Sequence, residues 1–129
     1  MPESAPILFV DDEAAMRHAV TQWLGLAGFE MLVHEKATTA LNTVSPNFPG
    51  ILVTDLKMEG MDGMELLRRS QQIDPELPVV VITGYPDSEM LNRILARGPV
   101  TVLKKPLKVD QLKQAVRILG PKEVTKAAA

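Results

Sequence analysis

Short runs of mainly aliphatic residues recur at intervals along the chain, and several are nearly unbroken and rich in β-branched side chains. Such runs are typical of strands that are covered on both faces, as in a parallel sheet. We therefore predict five strands, which lie at 7–10, 29–33, 51–53, 79–82 and 100–103.

After each run, apolar residues repeat every three or four positions, which predicts a helix. The five predicted helices end at residues that terminate helices, namely Gly28, Pro46, Asp74-Pro75, Gly98-Pro99 and Gly120-Pro121. A strict alternation of strand and helix with right-handed crossovers predicts an α/β fold, in which helices cover both faces of one five-stranded parallel sheet. We assign residues 1–120 to a single domain and 121–129 to a C-terminal tail or the start of a linker.

The composition fits a folded globular domain, with 46% hydrophobic and 23% charged residues. A net charge of −2 implies no strongly basic surface, so we expect no nucleic-acid binding by this domain. The absence of cysteine excludes disulfides, thiol catalysis and thiolate metal sites. The start of the chain does not resemble a signal peptide and no apolar run approaches the ~20 residues of a membrane span, so we expect a cytoplasmic protein.

Polar residues stand where the predicted strands end. Asp11 and Asp12 follow the first strand, Asp55 the third, Thr83 the fourth and Lys105 the fifth. Taken alone, each has a simpler interpretation, since an Asp-Asp pair after a strand is more often a helix cap and a single Thr is usually structural. In open parallel sheets, however, ligands bind beyond the carboxyl ends of the strands. We therefore predict that these five side chains meet in one crevice.

The chemistry of this set points to phosphate. Three carboxylates in one crevice raise one another's pKa unless a cation joins them. Carboxylate oxygens with room for water suit Mg²⁺. Lys105 offers a compact positive charge to a carboxylate or phosphoryl oxygen, and Thr83 offers a hydroxyl. An aspartate, a divalent metal, a lysine and a hydroxyl together predict a site that forms and stabilises an acyl phosphate.

Four stretches carry a family resemblance across residues 5–120. They are Ile-Leu-Phe-Val-Asp-Asp-Glu at 7–13, Val-Thr-Asp-Leu-Lys-Met at 53–58 with Gly-Met-Asp-Gly at 60–63, Val-Ile-Thr-Gly at 81–84, and Lys-Pro-Leu at 105–107. In this order and spacing they closely resemble the receiver domains of two-component response regulators. The resemblance implies a flavodoxin-like sheet of the receiver type, with the strand order 2-1-3-4-5 and helices on both faces.

The resemblance also implies a nucleophile and a metal site. Asp55 would take a phosphoryl group from a phosphohistidine on a sensor histidine kinase or a phosphotransfer protein. Asp11, Asp12 and Asp55 would hold Mg²⁺, together with the backbone carbonyl of Lys57. The catalysis of such a domain is limited to its own phosphotransfer and slow self-hydrolysis, so it is a signalling module and not an enzyme acting on other substrates.

Further roles follow from the same resemblance. Lys105 would pair with the phosphoryl group, and its bond to Pro106 would be cis. Thr83 would swing inward to bond a phosphoryl oxygen and would pull the following loop with it. The output domain or partner would bind the surface at 87–119, and phosphorylation could drive dimer formation.

The chain departs from the family pattern at three places. Val102 stands where an aromatic residue usually rotates together with the threonine, and Tyr85 is the nearest candidate for a substitute. Glu59 replaces a usual proline, and Gly98-Pro99 replaces a usual Gly-Ala. These departures leave the residues for phosphorylation in place and bear on the route by which the signal leaves the site.

Two other functions are compatible with parts of this pattern. One is a receiver-like interaction module that no longer becomes phosphorylated, which the missing aromatic residue slightly favours. The other is a phosphatase of the haloacid dehalogenase type, which also forms an aspartyl phosphate with Mg²⁺. That enzyme needs a second aspartate two residues after the nucleophile, where this chain has Lys57, and its nucleophile lies on the first strand.

Overall fold

The computed structural model describes residues 5–84, 88–96 and 98–119, and within them five strands form one parallel sheet. The strands are β1 (Ile7–Val10), β2 (Met31–His34), β3 (Ile51–Asp55), β4 (Val79–Thr83) and β5 (Val100–Lys104). They are arranged in the order β2-β1-β3-β4-β5, and every neighbouring pair is parallel. The predicted strand order is confirmed.

A helix follows each strand. The helices are α1 (Ala14–Leu26), α2 (Ala37–Leu41), α3 (Gly63–Ile73), α4 (Ser88–Leu95) and α5 (Val109–Leu119). Buried residues of α2, α3 and α4 share one apolar cluster with the sheet, and those of α1 and α5 share another. The sheet is thus covered on both faces, as predicted.

The first strand shows why the apolar runs are continuous. Leu8 and Val10 belong to the cluster on the α2, α3 and α4 side, whereas Ile7 and Phe9 belong to the cluster on the α1 and α5 side. Successive side chains of a strand point to opposite faces, and here both faces are buried. None of these four residues has measurable exposure to solvent.

The second strand begins two residues later than its apolar run. The φ angle of Gly28 is +99°, and the amide of Phe29 donates to the carbonyl of Leu24 at 3.1 Å. These features form a Schellman motif that ends α1. Phe29 therefore belongs to the end of the helix, although its side chain packs against the core beneath α1 and α5.

The second helix is shorter than its apolar pattern. It ends at Leu41, after which the amides of Asn42, Thr43 and Val44 donate three residues back along the chain. Such bonds are those of a tighter 3₁₀ turn. Val44 is still buried, so the apolar pattern was correct about packing and wrong about the length of the α-helix.

The predicted tail, 121–129, lies outside the described residues. Among the residues that are described, no helix is both long and apolar enough to span a bilayer.

Candidate functional site

Three buried polar side chains lie at the carboxyl edge of the sheet. Asp55 is the last residue of β3, Thr83 is the last residue of β4, and Asp11 follows β1 directly. Counted over the whole residue, their exposures are 6%, 3% and 1%. Buried polar side chains are unfavourable unless they are paired, so their presence at one edge indicates a site.

Lys105 reaches the same place from β5. Its main-chain amide donates to the carbonyl of Thr83 at 2.9 Å, which extends the pairing of β4 with β5 by one residue. Its Nζ donates to Oδ2 of Asp55 at 3.0 Å. The bond from Lys105 to Pro106 is cis, as the resemblance predicted.

The ion pair affects the protonation of the lysine. Partial burial lowers the pKa of the Lys105 ammonium, but the hydrogen bond and the negative charge of Asp55 outweigh this, and the net pKa is raised. Asp11 and Glu13 add to the rise through their charges. Lys105 is therefore a permanent cation beside the carboxylate of Asp55.

A small cavity opens onto these two groups. Its volume is about 200 Å³, and its lining residues are Asp55, Lys57, Thr83, Gly84 and Lys105. A water molecule in the liquid takes up about 30 Å³, so the cavity has room for a phosphoryl group and accompanying water. Carboxylate, hydroxyl and ammonium thus face one space.

Asp11 has one carboxylate oxygen without a partner. Its Oδ1 accepts a hydrogen bond from the amide of Glu13 at 2.9 Å, whereas its Oδ2 is buried and unbonded. Burial raises the pKa of the Asp11 carboxyl to about 6; the hydrogen bond from Glu13 opposes this rise, and the charge of Asp55 adds to it. A buried, unsatisfied carboxylate oxygen beside a second carboxylate is a good fit for a cation.

Asp12 and Lys57 are exposed. Oδ2 of Asp12 accepts a hydrogen bond from the amide of Glu59 at 3.1 Å, in the loop after β3. Over residues 5–84, 88–96 and 98–119, no three Asp, Glu, His or Cys side chains are placed to hold a metal ion together. Mg²⁺ needs only one or two carboxylates, because water completes its shell. The residues present therefore fit Mg²⁺, and the predicted roles of Asp11, Asp12, Asp55 and Lys57 as its ligands stay predictions.

Comparison with known proteins identifies the family. The model of the response regulator receiver domain matches residues 7–117, which is most of the chain. The chain belongs to this family. Receiver domains typically bind Mg²⁺ at acidic residues and work with histidine kinases and output domains.

Individual relatives agree with this assignment. The chain is 38% identical over 115 residues to the C4-dicarboxylate transport transcriptional regulatory protein DctD of Rhizobium meliloti, which covers 88% of this chain and 25% of that protein. It is 30% identical over 111 residues to the sporulation initiation phosphotransferase F of Bacillus subtilis. This alignment covers 86% of this chain and 90% of that protein. A receiver domain structure from Clostridium thermocellum superimposes with a TM-score of 0.82 at 29% identity, covering 89% and 93%. The chain thus spans about a quarter of the length of DctD.

The start of α3 lies against the end of β3, a contact that the sequence did not predict. A Cβ atom on Gly63 would lie 2.3 Å from the carbonyl oxygen of Asp55, and the amide of Gly63 donates to the carbonyl of Leu56 at 2.8 Å. Asp62 caps the helix by accepting from the amide of Glu65 at 2.9 Å. An Asp before a helical pattern is a signal that could have revealed the cap on α3, but not the close approach of Gly63 to Asp55.

The residues at which this chain departs from the family pattern lie in different parts of the domain. Val102 is partly buried and packs against the cluster on the α2, α3 and α4 side. Gly98 has a φ of +101°, a conformation that favours glycine. Glu59 is exposed, and its amide bonds Asp12. Tyr85, the predicted substitute for the aromatic residue, lies outside the described residues.

Proposed function

We propose that Asp55 accepts a phosphoryl group from the phosphohistidine of a sensor histidine kinase or a phosphotransfer protein. The observation that carries the proposal is the buried carboxylate of Asp55, which is paired with Nζ of Lys105 at 3.0 Å and opens onto a cavity of about 200 Å³. A negatively charged nucleophile and a negatively charged donor repel each other. The lysine offsets this repulsion in a partly desolvated place.

The transfer forms one bond and breaks another. A carboxylate oxygen of Asp55 attacks phosphorus, the bond from phosphorus to the imidazole nitrogen breaks, and its electron pair returns to that nitrogen. The product is an acyl phosphate on Asp55. Lys105 balances the charge on the transferred group, and the hydroxyl of Thr83 donates to one of its oxygens. Attack of water on phosphorus later releases phosphate and restores the carboxylate.

Asp11, Asp55 and the main-chain carbonyl of Lys57 would hold Mg²⁺, with Asp12 as the fourth predicted ligand. When bound, Mg²⁺ neutralises negative charge on the phosphoryl oxygens during transfer. The unbonded, buried Oδ2 of Asp11 supports this assignment, because that oxygen lacks any hydrogen-bond donor.

The response would spread from Thr83. Its movement toward the acyl phosphate would shift the loop that follows β4 and alter the surface at 87–119, of which 88–96 and 98–119 are described. That surface would bind an output domain or a partner protein, or a second copy of the phosphorylated chain. Activity in the cytoplasm and the division into a receiver at 1–120 and a tail stay predictions from the sequence.

Acetyl phosphate can replace the kinase in a first test of this function. The protein and its Asp55→Asn variant are incubated with acetyl phosphate and Mg²⁺, and their intact masses are measured. The proposal requires a Mg²⁺-dependent gain of one phosphoryl group that the variant lacks. A folded wild-type protein that gains nothing, even from a phosphohistidine donor, would instead be a silent interaction module.

A further inference from the structure

An arginine on α1 is bonded to the main chain of Asp11. Nη1 of Arg17 donates to the carbonyl oxygen of Asp11 at 2.9 Å, and the contact is partly buried. The two residues lie six positions apart, so the bond is not part of the helix ladder. It ties the first turn of α1 to the loop that leaves β1.

This bond completes a set around Asp11. The amide of Asp11 donates to the carbonyl of His34 on β2 at 3.2 Å, and Oδ1 accepts from the amide of Glu13 at 2.9 Å. The carbonyl oxygen of Asp11 accepts the hydrogen bond from Arg17. Three of the four polar atoms of Asp11 are thus fixed by β2 and by the start of α1, and the unbonded Oδ2 is the fourth.

We propose that Arg17 is a positioning residue for the Mg²⁺ site: it fixes the main chain of Asp11 so that Oδ2 is held ready for the metal. The inference rests on the proposed function in one respect, namely that Asp11 is a metal ligand. Groups that orient metal ligands commonly change metal affinity 10–100-fold when they are removed.

The location of Arg17 indicates that its role is to bond Asp11 and not to stabilise the helix. It is the fourth residue of α1, close to the positive end of the helix dipole, where a cation is unfavourable. A guanidinium at this position therefore needs a compensating interaction. The carbonyl of Asp11 supplies one.

Electrostatics and positioning predict opposite effects on Mg²⁺ binding. If the charge of Arg17 acted only through Coulomb repulsion of the metal, its removal would tighten the binding of Mg²⁺. If the bond to Asp11 positions the ligand, the removal weakens binding. Whether Mg²⁺ binds more tightly or more weakly after removal of Arg17 therefore distinguishes repulsion from positioning.

Calorimetric titration with Mg²⁺ alone tests the inference on the full chain. Arg17→Met removes the donor and keeps most of the apolar stem, Arg17→Ala removes both, and Arg17→Lys keeps a charged donor. Arg117→Ala removes an exposed guanidinium from α5 as a matched control. We expect Kd to rise about tenfold or more in the Met and Ala variants, to recover in part in the Lys variant, and to stay unchanged in the control. Thermal melts identify the variants that are folded.

Unchanged or tighter Mg²⁺ binding in a folded Met or Ala variant would overturn the inference, as would equal weakening by Arg117→Ala. The titration needs no phosphorylation. A wild-type chain that binds Mg²⁺ but is never phosphorylated would therefore contradict the proposed function while the comparison of variants still decides the role of Arg17. A wild-type chain that binds no Mg²⁺ would overturn this inference as well.

Discussion

Nζ of Lys105 lies 3.0 Å from Oδ2 of Asp55, although fifty residues separate the two in the chain. Each group arrives at the end of its own strand, and the pairing of β4 with β3 and β5 brings the two ends together. The carboxylate side chain has 9% exposure and the lysine 33%. The pair is therefore better shielded from solvent than a surface salt bridge and is placed to act on a bound anion.

Replacing Lys105 by alanine should slow phosphorylation of Asp55 by acetyl phosphate at saturating Mg²⁺. A hydrogen bond to a charged group is worth about 1.5–3 kcal/mol, so the rate should fall about 10- to 100-fold. Lys104→Ala removes the neighbouring, exposed lysine and should leave the rate unchanged. Equal rates in the wild type and Lys105→Ala would show that the ammonium does not assist the transfer.

The raised pKa of Asp11 predicts how stability depends on pH. Burial raises that pKa to about 6, whereas an unperturbed aspartate has a pKa of about 3.9. Between these values the folded protein keeps a proton that the unfolded chain has lost. The contribution of Asp11 to the free energy of unfolding of the Mg²⁺-free protein therefore falls as the pH rises from about 4 to about 6, and it stays constant above.

Asp11→Asn removes this titration. At pH 7 without Mg²⁺, the variant should be more stable than the wild type by about 3 kcal/mol, and the difference should shrink toward zero near pH 4. Urea unfolding can be followed through Trp23, the one tryptophan, which packs against the core beneath α1 and α5. A difference that does not vary with pH would contradict the assigned pKa.

Alanine at Gly63 should destabilise the protein and disturb the site. The added methyl group would lie 2.3 Å from the carbonyl oxygen of Asp55, so main chain must shift, at a cost of about 2–3 kcal/mol. Gly25→Ala on α1 is the matched control, because its Cβ would meet no atom within 4 Å. Alanine is the better helix former by up to about 1 kcal/mol, so the control should gain stability. Gains in both variants would refute the close approach.

Removing either of two buried hydroxyls should change the stability of the protein, in opposite directions for the two. Oγ of Ser70 on α3 is buried without a partner, so Ser70→Ala should stabilise the protein by about 1 kcal/mol. Oγ1 of Thr54 donates to the carbonyl of Asp55 at 2.8 Å, so Thr54→Val should destabilise it by a similar amount. Denaturant unfolding of both variants provides the comparison. A loss of stability in Ser70→Ala would mean that its hydroxyl has a partner in solution.

The architecture could be predicted from the sequence because the two signals that indicate it are local. Continuous aliphatic runs indicate strands buried on two faces, and the residues at their ends indicate the edge where a site forms. Asp55, Thr83 and Lys105 could be placed together on that basis. The cis bond before Pro106 and the strand order came from the family resemblance.

Other features depend on contacts that no periodicity reveals. The bond from Arg17 to Asp11 depends on the side-chain conformation of an arginine in the first turn of α1. The approach of Gly63 to Asp55 depends on the angle at which α3 meets the sheet. The early end of α2 at Leu41 reflects a change from α-helical to 3₁₀ bonds, which begins at the amide of Asn42. Such details require coordinates.

The most direct test of the central claim is to locate the acyl phosphate. Borohydride reduces an acyl phosphate, but not a free carboxylate, to an alcohol, which converts the modified aspartate into homoserine. After incubation with acetyl phosphate, peptide mass spectrometry should find homoserine at Asp55, and only when Mg²⁺ is present. Homoserine at Asp11 or Asp12, or none at Asp55 in a protein that has gained a phosphoryl group, would contradict the account.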